Sequence, residues 1–318
     1  MKKIKVFVTT NYFCNLNCEY CYLGCLRADK KIIDPKMLKM QLDEIASTRE
    51  IEEIIVAGGE STLLPLRLLQ QIIYTCMDYT DNVNFITNFS NSEMAEAVYG
   101  ITGNISVSIN KERRGYEETV QKLLSSDLEN ISLSMVVTPS ILGMDTKNLI
   151  SELEVLKRPV LFLQYSPSIY NNVVYPVANR DYEAFIIGFI KEYLKKSRNF
   201  DLLNLQDIEN CLSKNEEPWQ DSVVFIDPYN RYTGLEYIGN REYFKEFGSI
   251  IELEESSGRQ KTLFLSRCRS CKYFGNCYAE HMKDWDSGDS CCGMKGLLEW
   301  CQLPPLIEVA ACKSELHR

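Results

Sequence analysis

One short loop of the sequence concentrates thiols at a spacing that can hold metal. Cys14, Cys18 and Cys21 lie in the stretch CNLNCEYC, and the two histidines of the chain, His281 and His317, are far from it in sequence. A structural zinc site normally takes four protein ligands. Each iron of a 4Fe–4S cluster needs one ligand beyond the cluster sulfides, so three cysteines would leave one iron open to a substrate or cofactor.

Cys25, four residues further along the chain, is an alternative fourth ligand. If it bound the last iron, the cluster would be closed and the open position would disappear. The chain has 13 cysteines and no evident signal peptide, because Lys5 interrupts the apolar start. In a reducing compartment, cysteines serve metal binding or catalysis more often than disulfides.

The composition excludes several classes of protein. The 318 residues are 45% hydrophobic and carry a net charge of −9. Proteins that bind nucleic acids usually present a basic face, which disfavours such a partner here. The sequence has no run of about 18 apolar residues, so no membrane span is predicted. We therefore expect a cytoplasmic protein without a nucleic-acid or membrane partner.

Strand-like and helical patterns alternate over the first 200 residues. The predicted strands cover residues 4–10, 52–59, 82–88, 104–110, 130–137 and 159–167. The predicted helices cover residues 35–47, 64–79, 92–100, 116–126, 145–157 and 181–197. This alternation predicts an α/β fold in which parallel strands are joined by right-handed helical crossovers. The alternation stops near residue 200, and a β-hairpin is predicted over residues 222–239.

Polar residues that can do chemistry follow successive predicted strands. The cysteine loop follows the first strand, Gly58-Gly59-Glu60 follows the second, and Asn88 follows the third. Because the carboxyl ends of parallel strands meet at one end of a sheet, we expect these residues to converge there. The ordinary alternative for Gly58-Gly59 is a strand-to-helix turn that needs positive φ.

The motif Cys14-x3-Cys18-x2-Cys21 after a first strand, with Tyr20 before the last cysteine, resembles the radical S-adenosylmethionine (SAM) superfamily. The resemblance extends over residues 4 to about 200 and implies a partial (β/α)6 TIM barrel. It also implies a 4Fe–4S cluster whose open iron binds the methionine end of SAM. Reduction of the cluster then cleaves SAM to methionine and a 5′-deoxyadenosyl radical, which removes a hydrogen atom from the substrate.

The resemblance also implies the residues that contact SAM. Gly58-Gly59-Glu60 stands where the family has its GGE motif, which contacts the SAM amino group. Asn110 ends a segment near the ribose, where aspartate is commoner. The predicted SAM-binding residues are Tyr20, Gly58, Gly59, Glu60, Asn88, Ser108 and Arg114, with Arg113 as the alternative to Arg114.

A second group of cysteines lies near the C-terminus. Cys268-x2-Cys271-x5-Cys277, followed by Cys291 and Cys292, resembles the SPASM extension of radical SAM enzymes, which carries auxiliary 4Fe–4S clusters. We predict one auxiliary cluster on Cys268, Cys271, Cys277 and Cys291, with Cys292 as the alternative fourth ligand. A structural zinc site on the same thiolates is the competing prediction.

The C-terminal segment departs from the family pattern at several positions. The opening hairpin of the extension has Thr233, Gly234 and Leu235 where the family has a cysteine, and His281 replaces another. The ligands of a further auxiliary cluster therefore look absent. We predict a radical SAM core over residues 1–220 and a small, cysteine-rich α+β extension over residues 221–318.

The resemblance leads to a ranked set of functions. The extension favours an oxidoreductase-like or isomerase-like enzyme that matures a ribosomal peptide or a protein by crosslinking, epimerisation or oxidation. The first strand begins at residue 4, so we expect either a separate leader-binding protein or direct recognition of the substrate, together with an electron donor such as flavodoxin or ferredoxin. The alternatives are a small-molecule radical SAM dehydrogenase or epimerase, an RNA-modifying enzyme, and a non-catalytic metal-binding scaffold. The tyrosine-rich residues 164–177 either line the substrate site or pack as loop aromatics.

Overall fold

One sheet organises the part of the chain that the structure describes. The computed structural model describes residues 2–165, 170–171, 173, 175, 177–213, 223–234, 245–253, 255, 270–273, 277 and 294–302. The nine strands among these residues form a single sheet in the order β6-β5-β4-β3-β2-β1-β7-β8-β9. The strands are β1 (Lys2–Thr9), β2 (Arg49–Ala57), β3 (Val83–Thr87), β4 (Ile105–Ser108), β5 (Ile131–Val137), β6 (Val160–Gln164), β7 (Val223–Ile226), β8 (Tyr232–Gly234) and β9 (Lys245–Phe247).

The row from β1 to β6 confirms the predicted partial barrel. Each strand of this row pairs in parallel with the next one along the chain. Helices supply the crossovers between them. Because all six strands point the same way, the loops that follow them lie at one end of the sheet. The sheet stays open, since β6 and β9 are its two ends.

Nine α-helices have complete bounds within the described residues, and none of them is long and apolar enough to cross a membrane. They are α1 (Pro35–Ala46), α2 (Leu66–Met77), α3 (Ser92–Thr102), α4 (Tyr116–Ser125), α5 (Pro139–Leu142), α6 (Thr146–Leu156), α7 (Asn179–Tyr193), α8 (Leu203–Ser213) and α9 (Lys295–Cys301). α1 begins as predicted, with the Asp34 side chain accepting from Lys36 N and Met37 N. The sequence predicts that α3 ends at Gly100, but the helix continues to Thr102 and its C-cap is Gly103, which has a φ of 74°.

The two faces of the sheet differ in polarity. Ile4, Val6 and Val8 of β1 point toward the helices and are buried in the hydrophobic core. The opposite face is half-buried and more polar. On it Lys5 pairs with Glu53 at 3.2 Å, and Ser106 Oγ lies 2.7 Å from Ser132 Oγ. This alternation follows from the two-residue period of a strand.

The outer edge of β6 is protected by the segment that the sequence did not assign to an element. Leu202 forms a parallel bridge with Val160. The buried Asn204 side chain accepts from Phe162 N and donates to Phe162 O, both at 2.9 Å. The amide, in the first turn of α8, therefore takes the place of a neighbouring strand. The sequence pattern assigned no element to the residues of this helix.

The predicted hairpin is part of the same sheet. β7 pairs in parallel with β1 and antiparallel with β8. At the turn, the buried Asp227 carboxylate accepts from the Arg231 side chain and from Tyr12 Oη. Asn230, with a φ of 57°, exchanges hydrogen bonds with Asp34 at the start of α1. The boundary predicted at residue 220 therefore falls between strands of one sheet.

Candidate metal and cofactor site

The three cysteines of the first motif line one cavity. Cys14, Cys18 and Cys21 surround a space of about 290 Å³, which includes volume open to solvent, and Gly59 lines the same space. Cys25 is not part of this lining and its side chain is exposed. The geometry therefore groups the three motif cysteines with the glycine motif and leaves the fourth cysteine of the loop outside.

The chemistry of this donor set fits an iron–sulfur cluster. Burial raises the pKa of the Cys14 and Cys18 thiols, and it raises the pKa of Cys21 to about 12. Bound metal offsets that cost, because a coordinating thiol loses its proton to the metal. Among the described residues, no group of three or more Cys, His, Asp and Glu side chains is placed to hold a single ion. A cavity bordered by three separate thiols suits a cluster that spans them.

The end of β2 presses directly against the start of the cysteine loop. Gly59 N donates to Asn11 O at 2.8 Å, and Glu60 N donates to Phe13 O at 2.9 Å. A Cβ atom built on Gly59 would overlap the carbonyl oxygens of Tyr12 and Phe13. Glycine is required here because no side chain fits between the two segments.

Glycine is required at position 58 for the same reason, the close approach of the segment that follows β1. A Cβ atom on Gly58 would lie 2.7 Å from Asn11 O and 2.9 Å from Thr10 Oγ1, both closer than real contacts. Positive φ among glycines is found in the described residues at Gly103 and Gly115 only. The glycine pair is therefore explained by close approach of two backbones, and the alternative of a positive-φ turn does not apply.

Glu60 links the glycine motif to the end of β3. Its buried carboxylate accepts from Thr62 N at 3.1 Å, Thr62 Oγ1 at 2.6 Å and Thr87 Oγ1 at 2.8 Å. The second oxygen accepts from Asn88 N at 2.7 Å. The side chain is thus satisfied by protein donors, which leaves the backbone of the motif as the part that faces the cavity.

These contacts predict the effect of Glu60→Gln. The amide of the glutamine can take two orientations. In either one its NH2 group, a donor, would face another donor, the backbone N–H of Thr62 or that of Asn88. Leaving such a buried donor unpaired costs about 1–3 kcal/mol. We expect urea denaturation to show a free energy of unfolding lower by this amount.

Glu96→Gln on the exposed surface of α3 is the matched control. The same change of charge there should alter the free energy of unfolding by less than about 0.5 kcal/mol. Equal effects of the two substitutions would show that the hydrogen bonds of Glu60 contribute nothing specific.

Asn88 connects the end of β3 to the first cysteine. Its Nδ2 lies 3.7 Å from Cys14 Sγ and donates to Asn15 Oδ1 at 3.0 Å. Leu16 N donates to the same sulfur at 3.3 Å. The residue that follows, Phe89, is buried with a φ of 59°, an unusual backbone conformation for a large side chain. Donors directed at a ligand sulfur are one means of tuning an iron–sulfur cluster.

The two arginines that follow β4 have different surroundings. Arg113 is buried and donates to Ser108 O, Asn88 O and Thr119 Oγ1, which ties β3, β4 and α4 together. Arg114 is exposed and donates to Asn15 O at 3.0 Å, beside the first cysteine. Arg114 therefore remains the predicted contact for the SAM carboxylate, with its side chain bonded to the residue that follows the first cysteine.

The β4 residues of the motif lie at the carboxyl end of the sheet. Ser108 Oγ is half-buried, 3.3 Å from Ser134 Oγ on β5. Asn110 accepts from Val136 N at 3.1 Å and donates to Val136 O at 2.8 Å. An aspartate at this position has no proton to donate to that carbonyl, which explains the local preference for asparagine.

Tyr20 lies between the second and third cysteines, and its side chain is near Cys18. Burial, followed by the neighbouring Cys18 thiol, raises the pKa of the Tyr20 hydroxyl. The backbone carbonyl of Tyr20 accepts from Asn171 Nδ2 at 3.2 Å. Sequence reasoning left open what the residues after β6 contact. The structure places the described ones against the cysteine loop.

Two of the four predicted auxiliary ligands lie in the described residues. Cys271 and Cys277 are half-buried and pack against the hydrophobic core. Met294 N, just before α9, donates to Cys277 Sγ at 3.2 Å. Cys268 and Cys291 lie outside the described residues, as does Cys292. The auxiliary site therefore stays a prediction.

Comparison with known proteins agrees with this geometry. Residues 8–136, which contain the cysteine loop and the glycine motif, match the family described as the Radical SAM superfamily. No curated protein matches the chain.

Solved structures share the fold at low sequence identity. anSMEcpe with bound AdoMet has a TM-score of 0.70 at 13% identity, over 97% of this chain and 99% of that one. SuiB of Streptococcus suis, bound to the precursor peptide SuiA, has a TM-score of 0.61 at 12% identity, over 87% of this chain and 71% of that one. The family match covers residues 8–136, which hold the three cysteines of the cavity, and it identifies this part of the chain as a radical SAM region.

Proposed function

We propose that the protein cleaves S-adenosylmethionine reductively to a 5′-deoxyadenosyl radical and abstracts hydrogen from a peptide or protein substrate. The observation that carries the proposal is the single cavity bordered by Cys14, Cys18 and Cys21, with Gly59 beside them. Three thiolates at one cavity suit a cluster that keeps a position for the cofactor. The exposure of Cys25 outside this cavity supports an open fourth position.

The residues of the site would have two roles, binding of the cluster and binding of SAM. Cys14, Cys18 and Cys21 would hold the 4Fe–4S cluster, which when reduced supplies the electron that cleaves SAM. The backbone at Gly58-Gly59 would contact the amino end of SAM, which is the role that the family resemblance implies, and Gly59 lines the same cavity as the three cysteines. Ser108, Asn88, Tyr20 and Arg114 complete the predicted cofactor contacts at the same end of the sheet.

A peptide or protein is the substrate class that we propose. Support comes from two solved relatives of the fold, SuiB bound to precursor peptide SuiA and anSMEcpe with bound AdoMet and Cp18Cys peptide. Among the described strands, β6 and β9 are the two ends of the sheet, so these strands do not close into a full barrel. Crosslinking, epimerisation and side-chain oxidation are the reaction outcomes that a substrate radical allows, and an external electron donor and a leader-binding protein are the proposed partners.

One auxiliary cluster completes the proposal. Cys271 and Cys277 would contribute with Cys268 and Cys291, and the half-buried position of the first two beside the core supports a structured site. Iron and sulfide analysis of anaerobically reconstituted protein tests this. About eight irons per chain support two 4Fe–4S clusters, whereas about four, with or without zinc, reject the auxiliary cluster.

The experiment that tests the function has two stages. Reconstituted protein is first incubated with SAM and a strong reductant, and 5′-deoxyadenosine is measured. Candidate precursor peptides, deuterated at Cα and Cβ positions, are then added, and both the peptide mass and deuterium in 5′-deoxyadenosine are followed by mass spectrometry. Deuterium transfer with a change in peptide mass supports a peptide-modifying enzyme.

Other outcomes reject defined parts of the proposal. Cleavage of SAM together with turnover of an amino acid or a sugar, but of no peptide, would favour a small-molecule dehydrogenase or epimerase. Failure of a fully reconstituted cluster to cleave SAM would favour a non-catalytic scaffold.

A further inference from the structure

The described residues that follow β6 make direct contacts with the cysteine loop. We call Tyr170, Asn171, Val173 and Tyr175 the clasp. Tyr170 O accepts from Cys25 N at 2.8 Å, and Val173 N donates to Glu19 O at 3.4 Å. Asn171 Nδ2 donates to Tyr20 O at 3.2 Å, and Tyr175 Oη donates to Glu19 Oε2 at 2.8 Å. These contacts lie on both sides of Cys21 in sequence.

Tyr165 fixes the clasp to the sheet. This residue directly follows β6 and is only 2% exposed. Its hydroxyl donates to Val173 O at 3.2 Å and accepts from Tyr175 N at 3.2 Å. The rings of Tyr165 and Tyr175 lie 5.5 Å apart at an interplanar angle of 53°. One hydroxyl therefore pairs with two backbone groups of the clasp.

The position of these contacts in the fold gives them their importance. β6 is five strands away from β1 in the sheet, and the cysteine loop follows β1. The clasp thus joins the two ends of the parallel row across the carboxyl end of the strands. Since the sheet itself does not close by pairing of β6 with β1, this contact is a separate means of holding the loop over the barrel.

The two halves of the cysteine loop depend on different supports. The Cys14 half is held by the end of β2 and by Asn88. The Cys21 half has local backbone bonds from Cys21 N to Cys18 O and from Gly24 N to Cys21 O, both at 3.2 Å. Such single turns are marginal on their own. We infer that Tyr165 is a positioning residue of the metal site, which holds the clasp and through it the Cys18–Cys21 half of the loop.

This inference rests on the proposed function for its consequence but not for its first test. Hydrogen exchange of the full-length protein without metal is measured for Tyr165→Phe and for Tyr193→Phe. Tyr193 is the matched control, because its buried hydroxyl also donates to a backbone carbonyl, Phe200 O at 2.7 Å, away from the loop. We expect amides of residues 18–25 to exchange about tenfold faster in Tyr165→Phe only, since a buried partner is left unpaired.

The second test uses the reconstituted cluster. Release of iron to a chelator should be about tenfold faster in Tyr165→Phe than in Tyr193→Phe, from the same initial iron content, and the electron paramagnetic resonance signal of the reduced cluster should broaden. Glu19→Ala is the second variant, to be used if Tyr165→Phe does not fold. It removes an exposed side chain that accepts from Tyr175 Oη of the clasp, and it should reproduce both effects.

The outcomes separate this inference from the proposed function. Loop exchange equal to that of the Tyr193→Phe control would overturn the role of Tyr165, and so would faster exchange with unchanged iron release. Wild-type protein that binds no iron would reject the proposed function, and the exchange measurement alone would then decide whether Tyr165 holds the loop.

Discussion

Replacing Cys18 by alanine is expected to abolish SAM cleavage. The sulfur is one of three that border the cavity, and no other described cysteine lines that space. Losses of about 10–100-fold are typical when only a partner of a metal ligand is removed. Loss of a ligand itself should therefore exceed about a hundredfold. The measurements are iron content after anaerobic reconstitution and the rate of 5′-deoxyadenosine formation.

Cys25→Ala is the control for this prediction, since it removes a thiol from the same loop. Cys25 is exposed and lies outside the cavity, so iron content and cleavage rate should stay within about twofold of the wild-type values. A Cys25→Ala protein that loses the cluster would show that the fourth iron is closed by protein. It would remove the basis of the proposed function.

Gly59→Ala is expected to destabilise the fold and the metal site together. The added Cβ would overlap two carbonyl oxygens, Tyr12 O and Phe13 O, which belong to backbone that cannot move independently. Overpacking of this kind costs about 1–3 kcal/mol, and displacement of the segment would also break the two backbone hydrogen bonds from Gly59 and Glu60. We expect the free energy of unfolding to fall by about 3 kcal/mol, with loss of iron binding.

Gly100→Ala provides the matched change at an open position. Gly100 lies inside α3, and a Cβ atom there would meet nothing within 4 Å. Alanine is a better helix former than glycine by about 1 kcal/mol, so this variant should be as stable as the wild type or more stable. Urea denaturation of both variants checks the pair. A similar loss of unfolding free energy in both variants would mean that close approach at Gly59 does not cause the destabilisation.

The sequence predicts the elements that depend on local pattern. β1 to β6 and their crossover helices appear where alternating and helical spacing placed them, and Asp34 caps α1 as its side chain predicts. The convergence of the cysteine loop, Glu60 and Asn88 also follows from strand order alone. These features rest on short stretches of chain, where period and capping residues carry the information.

Features that depend on distant partners were beyond the sequence. Asn204 serves the edge of β6 from a segment without a strand pattern, so nothing in its neighbourhood marks that role. Gly58-Gly59 reads equally well as a turn, and only the position of Asn11 and Tyr12 shows that close packing is the reason. In the sequence, Tyr165 is an ordinary aromatic residue at the end of a strand. Only the structure shows that its hydroxyl pairs with the backbone of Val173 and Tyr175.

The parallel pairing of β7 with β1 has a consequence for dissecting the protein. Shortening the chain after α8 would strip the neighbour from the strand that carries the cysteine loop. The unpaired backbone N–H and C=O groups of β1 would then be exposed and could pair with strands of other molecules. The chain should accordingly be expressed and purified with β7 included, although the sequence predicts a domain boundary near residue 220.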